Sequence, residues 1–427
     1  METRRRGENG PASVICMTMR SEDRLIVRAL RLDRESRTEP CPLTFDLQRV
    51  RWTYILEKAR RHRIGPMLYR HLRDDPDVPE PILNDLERLY HSTAYLTARL
   101  QTDLREILHA FDGSGIETIV LKGGALVDRV YADAGLRLMT DLDLVVRERQ
   151  IGRADRRLRA LGWRPEEGEP WIVHHLPAYA REGSLGKVEL HRYVMYSPLF
   201  VRDAEAVWRR AQRVRISEEY AHVLCPEDFL LHLCLHASYG GPRQIRGLDL
   251  YGAYDIARMV RHYRNDLDWH AVARRADEHE ICDLVYCVLY CAQYICGAPV
   301  PTCVIEDLER RMSAVLSPRC LDLQYRMVRG YLKDPVAQAG GLSFRVWPYG
   351  RGAADGATSR EWLRADIRSV HRPSDLLVLL WGPLCHTARG SRVAAACAGL
   401  FHQVLASAYR SRVVRCVART FYRMRFR

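Results

Sequence analysis

Between Ile116 and Val146 the chain reads IETIVLKGGALVDRVYADAGLRLMTDLDLVV, and this order of elements restricts the fold more than any other stretch. Ile116 to Leu121 is an apolar, β-branched run of strand length that halts at Gly123 and Gly124. Ala125, Leu126, Val127 and Val130 then recur at helical spacing, so the diglycine falls where a helix begins. A helix N-terminus offers unpaired backbone N–H groups and the positive end of its dipole, and glycine admits a ligand close to that backbone. A phosphate suits such a place, with Lys122 before the turn and Arg137 beyond the helix as cations for further phosphate oxygens. Asp141 to Val146 follows as a strict alternation, so Asp141 and Asp143 share one strand face while Leu142 and Leu144 point to the core. Two carboxylates on one face repel unless a cation lies between them, and beside phosphates that cation is expected to be Mg²⁺.

Farther along, Trp171 to Glu182 and Lys187 to Tyr193 read as two strands joined by the turn Gly183-Ser184-Leu185-Gly186. In the second, Val188 and Leu190 are core positions, while Glu189 faces the other way with His191 two residues on. Glu189 is therefore the candidate third carboxylate. Three carboxylates around two metal ions is the arrangement that two-metal phosphoryl and nucleotidyl transfer uses.

Leu121-Lys122-Gly123-Gly124-Ala125-Leu126, Tyr131, Gly135-Leu136-Arg137, Asp141 to Val146 and Val188-Glu189-Leu190-His191 together resemble the uncharacterised nucleotidyltransferase family of the polymerase-beta-type superfamily. The resemblance runs on through Leu224 to Leu233 with His236 and through Leu250 to Ile256 around Asp255, covering roughly Leu43 to Arg261. It implies an α+β fold with a small mixed β-sheet nucleotidyltransferase core flanked by N-terminal and C-terminal helical regions. It further implies that Gly123 and Gly124 hold the nucleotide phosphates, beside the cations Lys122 and Arg137 read above, and that Asp141, Asp143 and Glu189 are catalytic and bind two Mg²⁺ ions. The implied substrates are an NTP, ATP by preference, and an acceptor hydroxyl on a small molecule or peptide, with pyrophosphate released. A toxin-type enzyme acting on tRNA 3′ ends and a non-catalytic nucleotide-binding scaffold are the competing readings. The sequence departs from the superfamily in having Gly124 where Ser is usual, a longer gap from the turn to the first Asp, and Glu rather than Asp at the third position.

The flanks read as helical. Phe45, Leu47, Val50, Trp52, Ile55, Leu56, Ile64, Met67, Leu68 and Leu72 precede a Pro76 to Pro81 breaker, and a long helix is expected from about Pro81 to Ala110. Glu148 to Leu161 is an amphipathic helix closed by Gly162. After Asp203 the reading is helical again, and Pro226-Glu227-Asp228 starts a helix carrying His232 and His236 one turn apart. Leu233 stands where a zinc-type H-E-x-x-H motif needs Glu, so one histidine is assigned to the helical core and the other, His236, joins His191 at the pocket border. Asp255 reads either as a buried partner of His236 or as a surface charge. The expected divisions are a mobile leader over 1–40, a helical region over 41–112, the catalytic core over 113–215, a helical domain over 216–335 and a loop with a basic helix over 336–427. Met17 and Met19 are alternative starts.

The thirteen cysteines form no C-x-x-C pair, and Cys282, Cys287, Cys291 and Cys296 sit at helical spacing among apolar residues. Reduced, packed thiols fit a cytoplasmic protein. No run reaches the ~18 apolar residues of a spanning helix. Beyond Asp375 no acidic residue follows, while nine arginines do, and these account for most of the +13 net charge. Arg415, Arg419, Arg423 and Arg427 recur every four residues beside Val413, Val417 and Phe421. Such a basic helix suits an anionic membrane surface, a nucleic-acid backbone or an acidic partner, or is simply a solvated end.

Overall fold

The computed structural model describes residues 20–31, 47–166, 176–194, 204–238, 250–278 and 281–311. The first element, α1 (Ser21–Leu30), buries Leu25, Ile26 and Leu30. Its Asp23 accepts a hydrogen bond from Tyr54 at 2.8 Å, and its Glu22 accepts one from Arg51 at 3.0 Å. The mobile leader expected over 1–40 is thus corrected across this helix. Its apolar spacing is short, but it is enough once a second surface receives it.

Helices α2 (Trp52–Arg61), α3 (Gly65–Leu72) and α4 (Glu80–Asp112) follow, the last starting with Pro81 in its first turn, where the missing N–H costs nothing. At 33 residues α4 is about 50 Å long and lies against the sheet, meeting β strands described below through Leu100, Leu104, Ile107 and Leu108. Then come β1 (Thr118–Val120), α5 (Lys122–Arg129), β2 (Asp141–Val146), α6 (Ile151–Ala160), β3 (Arg164–Pro165), β4 (Tyr179–Ala180), β5 (Lys187–His191), α7 (Ala204–Arg210), β6 (Gln212–Ile216) and β7 (Glu219–Val223). The seven strands form one mixed sheet in the order β3-β4-β5-β2-β1-β7-β6. β2 pairs with β5 and β1 with β7 in parallel, and the other neighbours are antiparallel. The fold is α+β, and the strand at the diglycine, the Asp141–Val146 strand and β5 lie where the sequence suggested, whereas of the strand expected over Trp171 to Glu182 the described part pairs only at Tyr179–Ala180.

The β6–β7 hairpin was not foreseen, and the expected core boundary at 215 cuts through it. Its turn places Ser217 at φ 46° and Glu218 at φ 71°, a left-handed pair for which Asn-Gly is the usual signal. Ser-Glu hides that turn. Five helices complete the described chain: α8 (Pro226–Ser238), α9 (Leu250–His262), α10 (Trp269–Glu278), α11 (Cys282–Cys296) and α12 (Thr302–Arg311). Cys282, Cys291 and Cys296 of α11 are buried free thiols, and burial pushes the Cys291 thiol up to about 12, so they pack as apolar groups. One apolar cluster runs from α1 through the sheet to α12 without a break at the expected domain boundaries. No described helix is long and apolar enough to cross a membrane. The expected loop and basic helix over 336–427 lie outside the described residues.

Candidate active site

β2 and β5 run side by side in a register that decides the site. Asp141 lies opposite Lys187, Asp143 opposite Glu189 and Val145 opposite His191. Alternation therefore puts Asp141, Asp143, Lys187, Glu189 and His191 on one face of two adjacent strands, while Leu142, Leu144, Val188 and Leu190 fill the core behind them. Of the three carboxylates expected from two strands, Asp143 and Glu189 lie within reach of a shared ion, and Asp141 lies on the same face. Asp141 and Glu189 are half-buried at the mouth, and Asp143 is only 2% exposed.

The start of α5 is held beside them. The Leu121 N–H donates to the Asp143 carbonyl at 3.0 Å, so the helix begins directly over β2. Lys122 opens α5 with φ 43°, a left-handed conformation that costs a non-glycine residue about 1–2 kcal/mol. Its buried side chain reaches Asp143, with Nζ 2.5 Å from Oδ1. His191 Nε2 meets the same oxygen at 2.9 Å and Glu189 Oε2 at 3.5 Å. Burial opposes charge on Asp143, yet the Lys122 ammonium and then His191 outweigh it and hold this carboxyl well below the usual range. Burial likewise opposes charge on His191, and its hydrogen bond to Asp143 raises the imidazole above its ordinary value.

Asp141 goes the other way. Burial first, then the charges of Asp143 and Glu189, push it up to about 6 against the pull of Lys122. The folded protein therefore holds this proton more tightly than the unfolded chain does, and Asp141's contribution to stability falls as pH rises from about 4 to 6. In metal-free protein, Asp141→Asn should gain stability relative to wild type across that window and keep the gain above it. Paired thermal melts from pH 4 to 8 check this, and a pH-independent difference between the two proteins contradicts it.

Gly123 and Gly124 are both buried in the first turn of α5. A Cβ on Gly124 would stand 2.7 Å from Val120 Cγ1, and one on Gly123 would stand 3.0 Å from Met139 Cγ. Close packing thus demands Gly124, while at Gly123 a methyl group would need the Met139 side chain to shift by a few tenths of an ångström. Arg137, expected to meet phosphate oxygens, is buried with Nε 2.9 Å from Asp255 Oδ1 and donates to the Tyr251 hydroxyl at 2.7 Å. Tyr131 donates to the same Asp255 oxygen at 2.7 Å. Of the two roles considered from sequence Asp255 takes the buried one, and it is a partner of Arg137 and Tyr131. His232 is buried and His236 is half-buried, their rings stacked with centroids 6.4 Å apart. Burial and then the nearby Lys122 charge push His232 down to about 3 and His236 well below its ordinary value, so both are neutral neighbours of the acidic cluster.

A cleft of about 470 Å³ opens at the mouth, lined by Thr140, Asp141, Arg181, Ser184, Lys187 and Glu189 among others. Lys187 was legible from its place two residues before Glu189 on the same face. Arg181 was not, because Asp103 and Glu106 of α4, each 2.6 Å from it, bring it to the cleft wall. One ligand atom each from Asp143, Glu189 and His191 lie within 4.8 Å of one another, a spacing that fits a single divalent cation.

The solved structure of an antigenic nucleotidyltransferase-like protein from Paracoccidioides brasiliensis is 18% identical, covers 44% of this chain and 93% of its own, and has a TM-score of 0.30. No curated protein matches the chain. The family model described as uncharacterised nucleotidyltransferase matches residues 48–297, more than half of the chain and all of the elements that build the site, and the chain belongs to that family.

Proposed function

We propose that the protein transfers a nucleoside monophosphate from an NTP, ATP by preference, to a hydroxyl of a small molecule or peptide, releasing pyrophosphate. The observation that carries this reading is the β2–β5 register, which puts Asp141, Asp143 and Glu189 on one face of two adjacent strands beside the start of a helix, with Asp141 and Glu189 lining the cleft and Asp143 buried behind them. Asp143 and Glu189, with Asp141 at the mouth, are the groups that would hold Mg²⁺. When bound, the metal supplies charge for the triphosphate and lowers the pKa of the attacking hydroxyl.

The chain's own groups do the rest. The first turn of α5, packed at Gly123 against Met139 and at Gly124 against Val120, offers its N–H groups as the anion-binding element. Lys187 stands opposite Asp141 at the mouth, where a cation meets a phosphate tail entering the cleft. Glu189, half-buried and on the cleft side, is placed to take the proton of the acceptor hydroxyl. Arg137 is assigned to positioning rather than to phosphate, since Asp255 already matches its charge.

Incubating the full chain with each labelled NTP, Mg²⁺ or Mn²⁺ and a cell extract, then searching by mass spectrometry for added nucleotide mass, tests the reading. An acceptor carrying one NMP, absent when Asp141 is replaced by Asn, is the expected result. Tight NTP binding with no transfer to any acceptor pool would overturn it in favour of a binding scaffold.

A further inference from the structure

The geometry points to Lys122 as a built-in cation that takes the place of one of the two divalent ions expected at a three-carboxylate centre, so that the site loads a single divalent ion. This rests on the nucleotidyltransferase reading above and goes further, to the number of metal ions and the residue that sets it.

Lys122 is 6% exposed, and its ammonium sits 2.5 Å from Asp143 Oδ1, at the heart of the acidic cluster rather than out in the cleft. His191 shares that oxygen from the other side. Asp143 Oδ1 is thus already taken by two donors. Both of these hydrogen bonds fall on Oδ1, leaving Oδ2 as the oxygen on offer to a metal alongside Glu189 and Asp141. The backbone agrees. Lys122 adopts φ 43°, where glycine would be unstrained, and the strained geometry aims the side chain at β2.

Position gives the stoichiometry. Lys122 Nζ and His191 Nε2 both occupy Asp143 Oδ1, which leaves that carboxylate one oxygen for a metal ion and none to bridge a second. The ammonium is compact and strongly hydrated when free, so it suits a position that an ion with oxygen ligands would otherwise occupy. Lys122 is a positioning residue in this account. It holds Asp143 ionised and oriented, and it supplies fixed positive charge beside the phosphates without itself being exchangeable.

The test is the binding of Mn²⁺ alone to metal-free full chain, with free Mn²⁺ counted by electron paramagnetic resonance. One ion per wild-type chain and two per Lys122→Met chain are expected. Two ions per wild-type chain, or still one in Lys122→Met, would overturn the assignment. Should Lys122→Met fail to fold, the wild type answers by itself. Amine acetylation read by mass spectrometry should leave Lys122 protected at saturating Mn²⁺ while the half-exposed Lys187 is modified. Labelling of Lys122 on metal addition means the ion has displaced it, and the proposal fails. Two ions with transfer intact remove only the role of Lys122. One ion without transfer removes the enzymatic reading and leaves Lys122 in place, and no bound Mn²⁺ removes both.

Discussion

Asp143→Asn lowers the rate of nucleotide transfer by about a thousandfold or more, equivalent to roughly 4 kcal/mol of transition-state stabilisation. The substitution keeps the shape of the side chain and removes a carboxylate that touches Lys122 and His191 and lies register-paired with Glu189. An amide cannot serve as a charged metal ligand, and the ammonium of Lys122 is left facing a neutral group. Asp141→Asn is expected to show a similar loss for a simpler reason, because Asp141 is half-buried at the mouth and its neighbours do not depend on its charge for folding. Single-turnover rates at saturating NTP and divalent ion measure both, after far-UV circular dichroism has shown each variant folded. Wild-type rates in either folded variant are incompatible with the site.

The second large effect falls on stability. Asp255→Ala is expected to cost about 3–5 kcal/mol, since it strands the buried Arg137 guanidinium without its carboxylate. For a folded region of this size that is a fall of about 10 °C in melting temperature. Two further contacts sharpen the expectation. Tyr131 loses its acceptor in Asp255→Ala, whereas Tyr131→Phe removes a single hydrogen bond and should cost about 1 kcal/mol. Arg137→Met combined with Asp255→Ala removes both charges and should recover much of the loss. A melt of Asp255→Ala within about 2 °C of wild type would show that the pair does not hold α9 against the segment between α5 and β2.

Both expectations depend on distance along the chain in different ways. Asp141, Asp143 and Glu189 were legible because a strand alternates with period two. The facing of each carboxylate follows from its immediate neighbours, Leu142, Leu144, Val188 and Leu190. The long helix α4 and the thiol-lined α11 were legible for the same reason, since an apolar stripe at helical spacing needs no knowledge of what covers it. The β6–β7 hairpin was missed because its left-handed turn is made by Ser217 and Glu218, which carry no turn signature, and α1 because ten residues are marginal until another surface buries them.

What the sequence determined by itself is the facing of side chains along each element and the chemistry they carry: acid, cation and glycine at a strand–helix junction. Only the tertiary structure decided their partners. Lys122 reaches Asp143, Arg137 is claimed by Asp255 of a distant helix, and Arg181 is brought to the cleft wall by α4. Local periodicity is a property of adjacent residues and survives in any fold. A buried charge takes whichever counter-charge chain closure brings within about 3 Å, because desolvation penalises every arrangement that leaves it alone.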